Sequence, residues 1–234
     1  LHYGVRRVCN TLALLIILGG FMLEELRQVI WECNLELPKY KLVVMTSGNV
    51  SGRDPKTGYV VIKPSGYSYE KLTPEDLVVV DLYGNVIEGY LKPSVDTDTH
   101  LYIYRNRPDV GGIVHTHSTF ASTFAVLGEP IPPCLTASAM LGGEVPIGKF
   151  VAIGGEEIGK ELLAKIGDKL AIIMQNHGVF TIGKDAHQAT KVAIEIEEIA
   201  KITYFALLRG NPIVLTEEQI KETQRLYENI YGQK

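Results

Sequence analysis

The stretch Gly111-Gly-Ile-Val-His-Thr-His-Ser118 puts two of the chain's six histidines one residue apart at the end of an apolar run. In an extended strand alternate side chains share a face. His115 and His117 therefore point one way and Thr116 the other. Two readings compete: ordinary strand histidines, or a pair of metal ligands facing one site. An open catalytic zinc site commonly takes three protein ligands, so the second reading needs a third donor. His177, in Met174-Gln-Asn-His-Gly-Val-Phe180, lies at a strand–turn–strand junction, and the glycine after it lets backbone approach closely. His100 falls in a helical segment and reads as a core residue. His2 and His187 read as solvated.

Outward from this stretch the chain alternates helical and extended patterns. From Met22 the apolar positions Leu23, Leu26, Val29, Ile30, Cys33 and Leu37 have helical spacing, with Pro38 as the stop. Short runs rich in β-branched residues follow at 41–45 (KLVVM), 59–63 (YVVIK), 77–81 (LVVVD) and 85–89 (NVIEG), and Leu82-Tyr83-Gly84 reads as a hairpin turn. TSGNVSGRD (46–54) reads as a loop. Helices are expected from caps at Ser94 to Thr99 through about Arg105, over Thr119–Leu127 and over Gly154–Ile166. A longer one runs from Asp185 to Leu208, and a last helix opens on a Thr216/Gln219 capping box. Residues 169–175 and 178–183 read as strands. Strands and helices intermix with no repeat or linker, which predicts one α/β domain. Tight turns between strands make part of the sheet antiparallel.

Composition excludes several classes. The net charge is −4 and no Lys/Arg block stands out, so there is no electrostatic footprint for nucleic acid or an anionic membrane. The three cysteines, Cys9, Cys33 and Cys134, are far apart, which is no disulfide framework and indicates a reducing compartment. The apolar run Leu12–Leu18 is too short to span a bilayer. Residues 1–21 are read as a non-native or mis-assigned extension ahead of a start at Met22. A signal or anchor and a packed extension are the alternatives.

Two further clusters carry chemistry. Lys63-Pro-Ser-Gly66 and Lys92-Pro-Ser-Val-Asp96 each set a serine two residues after a lysine. Hydroxyls, glycine amides and a lysine are what a phosphate needs, although Pro, Ser and Gly also make plain turns.

Taken in order, SGNVS, IKPSGYSYEKLTPEDLVVVD, GNVIEG, KPSVDTDTH, GGIVHTHS, QNHGVF and the terminal YGQ resemble the class II aldolase and L-ribulose-5-phosphate 4-epimerase family, from Met22 to Gln233. The resemblance implies a three-layer α/β sandwich with a central, largely antiparallel (mixed) sheet between helix layers. It implies a cytoplasmic homotetramer with active sites at subunit interfaces, acting on a small phosphorylated sugar. It also implies Zn²⁺ (Mn²⁺ or Co²⁺ as alternatives) and retro-aldol/aldol chemistry through a metal-stabilised enediolate. Carried over by position, His115, His117 and His177 match the metal ligands. Asn49, Lys63, Ser65, Gly66 and Ser94 match substrate- and phosphate-contacting positions. Asp96 matches the acidic residue beside the metal, with a helix N-terminal carboxylate as its other reading. Tyr231 matches a tyrosine that reaches a neighbouring subunit's site.

The branch is divided. Asp in KPSVDTDTH and the YGQ tail resemble the epimerase, which is the first expectation. Yet Met140 stands where the epimerase has an acidic residue, Val95 replaces a second phosphate-binding serine, and residues 217–231 hold no histidine. The segments ASAMLGGEVP and NPIVLTEEQ look more like fuculose-phosphate aldolase, although Thr136 stands near that enzyme's mid-chain tyrosine. A sugar-phosphate-binding homologue without catalysis is the third reading.

Overall fold

The computed structural model describes residues 21–230, so His2, Cys9, Tyr231 and the reading of residues 1–21 lie outside the described residues. Eight strands form one sheet: β1 (Asn49–Arg53), β2 (Val60–Ile62), β3 (Val78–Val80), β4 (Val86–Glu88), β5 (Gly112–Thr116), β6 (Ile147–Gly148), β7 (Ala171–Met174) and β8 (Gly178–Gly183). Their order is β4-β3-β2-β1-β5-β8-β7-β6. All neighbours pair antiparallel except β6 and β7. Six α-helices accompany them among the described residues: α1 (Glu24–Lys39), α2 (Thr97–Asn106), α3 (Thr119–Leu127), α4 (Glu157–Ile166), α5 (Ala186–Leu207) and α6 (Glu217–Ile230).

Strand alternation builds the layers. Val50, Val61, Val79 and Val114 face one side with Ile30, Leu37, Ala189 and Ala193 of α1 and α5. Val60, Val78, Ile113, Phe180 and Ile182 face the other with Leu101 and Ile103 of α2 and Ile158 and Leu162 of α4. A third cluster joins α3 and α5 to β7. The result is a mixed sheet between helix layers, as the sequence predicts.

Two local expectations are corrected. KLVVM is not a strand. It closes α1 in a Schellman motif: Lys41 takes φ 59°, and the amides of Lys41 and Leu42 donate to the carbonyls of Pro38 and Leu37 at 3.1 and 2.9 Å. Leu42 and Leu37 are both buried, while Val44 and Met45 are exposed, so these apolar residues anchor a helix end. Pro38 accordingly sits inside the last turn and does not end the helix before it. The other correction is Asn49–Arg53, expected as a loop, which is a central strand. Its small, polar residues hide the pattern, because Gly52 lies under Ile30 and Leu26 and leaves no room for a Cβ.

Gly112 positions the middle of the fold in the same way. A Cβ there would lie 2.3 Å from the amide nitrogen of Ala186, so only glycine lets the start of α5 rest on β5.

The buried His100 makes folding pH-dependent. Its Nδ1 pairs with Ser51 Oγ at 2.7 Å, and Ser51 Oγ with Tyr104 OH at 2.8 Å. Burial pushes its pKa down to about 4, with Asp96 opposing. The folded pKa lies below the unfolded value, so the unfolded chain takes the proton first. Stability is complete above about pH 6.5 and falls as pH drops toward 4, by about 3 kcal/mol for this one residue. Urea unfolding at pH 7 and 4.5 should show that loss shrinking by about 2 kcal/mol or more in His100→Asn. An unchanged pH difference would remove His100 as its source.

Candidate active site

The histidine cluster is assembled by register. Asn49 of β1 lies opposite His115 of β5, which lies opposite Phe180 of β8. His115 is buried, and its ring stacks on Phe180 with centroids 4.1 Å apart and planes 13° apart. Its Nδ1 donates to the Val179 carbonyl at 2.9 Å, which leaves the Nε2 lone pair for the site. His117 emerges on the same side beyond the strand end, its Nε2 3.0 Å from His115 Nε2.

His177 arrives from the turn between β7 and β8. Asn176 takes φ 56° there, a conformation asparagine tolerates better than most residues. The His177 amide closes the turn on the Met174 carbonyl at 3.0 Å. A Cβ on Gly178 would lie 2.4 Å from the Thr116 carbonyl and 2.8 Å from His117 Cδ2, so glycine is required for the imidazoles to meet. One ring nitrogen from each of His115, His117 and His177 lies within 4.8 Å of the others.

These three residues fit a metal ion. Desolvation holds the imidazoles below their ordinary pKa, fully for the buried His115, down to about 3, and by the cleft walls around one side of the more open His117 and His177, so each is neutral at pH 7 and able to ligate. His177 Nδ1 is buried with no hydrogen-bond partner among the described residues. Leaving such a group unpaired costs about 1–3 kcal/mol.

Asp96 stands beside them. Its Oδ2 accepts from Asn49 Nδ2 at 2.7 Å and Ser94 Oγ at 3.4 Å. Burial opposes its charge, but His115, His100 and the Asn49 bond outweigh burial and hold the carboxyl below its ordinary value. Asp96 occupies the N-cap position of α2, although its side chain bonds no helix amide, so the helix N-terminal carboxylate and the acidic group beside the histidines are one residue in compatible roles.

The two Lys-Pro-Ser segments turn out to be partners. Pro64 and Pro93 face each other in an antiparallel bridge, flanked by Ser65 N–H to Lys92 O at 2.9 Å and Ser94 N–H to Lys63 O at 3.1 Å. The prolines occupy the positions that need no N–H, and the serines supply the donors. Lys63 is buried, its Nζ donating to the Thr46 carbonyl at 3.2 Å and lying 4.6 Å from the Tyr69 ring centre. Burial lowers its pKa to about 8.

The candidate metal, substrate and acidic residues that lie among the described residues all line one cleft of about 150 Å³: Asn49, Lys63, Ser65, Gly66, Ser94, Asp96, His115, His117 and His177. Thr46, Ser47 and Ile153 join them unpredicted. The TSGNVS signal could have found the first two. Ile153 comes from a distant loop with no motif. Met140 lines a separate cavity of about 620 Å³ and, within one chain, not the histidine cleft.

The mixed sheet carries three converging imidazoles that could hold a metal ion, with a carboxylate and a buried lysine beside them. The family model for the class II aldolase and adducin N-terminal domain matches residues 28–204, and the chain belongs to that family. Among solved structures it is similar to an L-fuculose 1-phosphate aldolase, with 29% identity over 87% of this chain and 96% of that one and a TM-score of 0.81. It is also similar to YgbL of Escherichia coli, described as a putative aldolase/epimerase/decarboxylase, with 28% identity, 86% and 98% coverage and a TM-score of 0.76. An L-fuculose 1-phosphate aldolase from Glaciozyma antarctica PI12 is 26% identical over 88% of this chain and 84% of that one, with a TM-score of 0.74. Among the described residues no helix is long and apolar enough to cross a membrane.

Proposed function

We propose that this chain is a metal-dependent enzyme that breaks or forms a carbon–carbon bond in a small phosphorylated ketose. The observation that carries this reading is the convergence of His115, His117, His177, Asp96 and Lys63 in one cleft. The three histidines would hold Zn²⁺, with Mn²⁺ or Co²⁺ as alternatives, since imidazole suits several metals. When bound, the cation supplies Lewis-acid stabilisation of the negative charge that develops as the bond breaks. Asp96 is the proton carrier: Oδ2 is engaged by Asn49 and Ser94, which leaves Oδ1 to take a proton from a substrate hydroxyl. Asn49, Ser65, Gly66 and Ser94 bind substrate oxygens, and Lys63 supplies the positive charge for a phosphate. Tyr231 is assigned as an acid reaching the site of a neighbouring subunit in a cytoplasmic homotetramer.

The lyase outcome is the better supported one. Two of the similar structures are L-fuculose 1-phosphate aldolases, and Met140 brings no acid or base to the cleft. Epimerisation is the second reading, favoured by the aspartate in KPSVDTDTH. Persistence of all three histidines in one cluster weighs against a homologue without catalysis. The test is an NMR time course of metal-loaded protein with L-fuculose 1-phosphate, and in parallel with L-ribulose 5-phosphate. Dihydroxyacetone phosphate and lactaldehyde from the first establish the lyase. D-xylulose 5-phosphate from the second establishes the epimerase instead. Silence on both, with binding retained, favours the non-catalytic reading.

Lys63→Met should raise KM about tenfold or more with a smaller change in kcat, because a charged hydrogen bond to phosphate is worth about 1.5–3 kcal/mol. In the wild type the amine loses its proton as pH rises through about 8. KM should therefore rise above pH 8, and Lys63→Met should abolish that rise. A KM unaffected by the substitution would remove Lys63 from the phosphate site.

A further inference from the structure

Helix α3 starts immediately after the His115-Thr116-His117 triplet, with Ser118 as the preceding residue and Thr119 as the first helical one. Serine is a preferred N-cap, its hydroxyl accepting from an amide of the first turn. Ser118 does not act this way. It makes no side-chain cap bond, and its buried Oγ has no hydrogen-bond partner among the described residues. The amides are taken by a residue far along the chain. Phe120 N–H donates to Glu197 Oε1 and Ala121 N–H to Glu197 Oε2, each at 2.9 Å. Glu197 lies on α5, in the helix layer packed against the other face of the sheet from the His115 ring. One carboxylate thus holds two orphan amides, and its charge suits the positive end of the helix.

We propose that Glu197 is a positioning residue for the histidine cluster. By tying the first turn of α3 to α5 it fixes the backbone at His117 and Ser118, and so the direction in which His117 presents its imidazole. His117 depends on this more than its neighbours do. His115 is held by the Val179 carbonyl and the Phe180 ring, and His177 by a closed turn. His117 is exposed and lies beyond the last residue of β5. Among the described residues its ring bonds only to His115. The inference rests on the reading of the three histidines as a metal site.

The full chain with Co²⁺ as probe tests it. Affinity by chelator competition, the visible Co²⁺ absorption and the thermal midpoint are read for wild type, Glu197→Ala, Glu197→Gln and Ser118→Ala. Ser118→Ala should match wild type. Glu197→Ala should lose about tenfold or more in affinity, the lower end for loss of a supporting partner of a metal ligand, with a changed absorption. Glu197→Gln keeps one acceptor oxygen and should fall between. Wild-type affinity and absorption in Glu197→Ala, or in Glu197→Gln if the alanine variant does not fold, with only a lower midpoint, would reduce Glu197 to a helix cap and overturn the proposal. So would an equal loss in Ser118→Ala. A wild type that binds no Co²⁺ at the histidines overturns the metal-site reading instead, and this inference with it.

Discussion

His117→Asn should abolish metal-dependent turnover and leave the fold intact. Loss of one of three imidazoles removes the cation's stabilisation of developing charge, worth several kcal/mol. At about 1.4 kcal/mol per decade, that is a fall of at least about 10³ in kcat/KM. Stability should stay within about 0.5 kcal/mol, because His117 is exposed and bonds only its neighbour ligand among the described residues. The matching His115→Asn should lose both metal and stability, since that ring is buried and stacked on Phe180. Metal content, a thermal melt and turnover on the same preparations separate the two effects. Full turnover in metal-stripped His117→Asn would refute the assignment.

Asp96→Asn is the second large effect. The variant keeps the size and one acceptor oxygen for Asn49 and Ser94 but cannot carry a proton. A fall in kcat of about 10²–10⁴ is expected, the range for loss of a general acid or base, with metal content and KM little changed. Because the carboxyl is held below its ordinary value, Asp96 stays ionised through the neutral and mildly acidic range. A wild-type rate that declines at a pH above the ordinary carboxyl range therefore does not report protonation of Asp96. Loss of metal with kcat retained on reloading would recast Asp96 as a support for the ligands.

Most of the chain's layout is legible residue by residue. Alternation in GIVHTH put His115 and His117 on one face, and α3 and β8 occupy the residues that the sequence pattern marks. The Thr216/Gln219 capping box forms as expected, with bonds of 2.9 and 3.2 Å. The misreadings share one cause. An apolar run such as KLVVM carries no sign of whether it will pair or plug a helix end, and a polar run such as NVSGR conceals a central strand. Pairing is decided by what lies alongside, here β2 on one side and β5 on the other.

The site divides in the same way. Local chemistry in the sequence nominated His115, His117, His177, Asp96 and the two Lys-Pro-Ser segments, because ligand type, turn residues and spacing are properties of short stretches. That Pro64 faces Pro93, that Asn49 holds Asp96, and that Glu197 takes the amides expected for Ser118 depend on groups 29, 47 and about 77 residues apart. Such contacts are set by strand register and helix packing across the whole core, and no local pattern encodes them. The sequence alone determined the candidate ligands and the alternation that aims them. Only the tertiary structure decided what holds them, because a hydrogen bond between distant residues exists only after the sheet has aligned both partners.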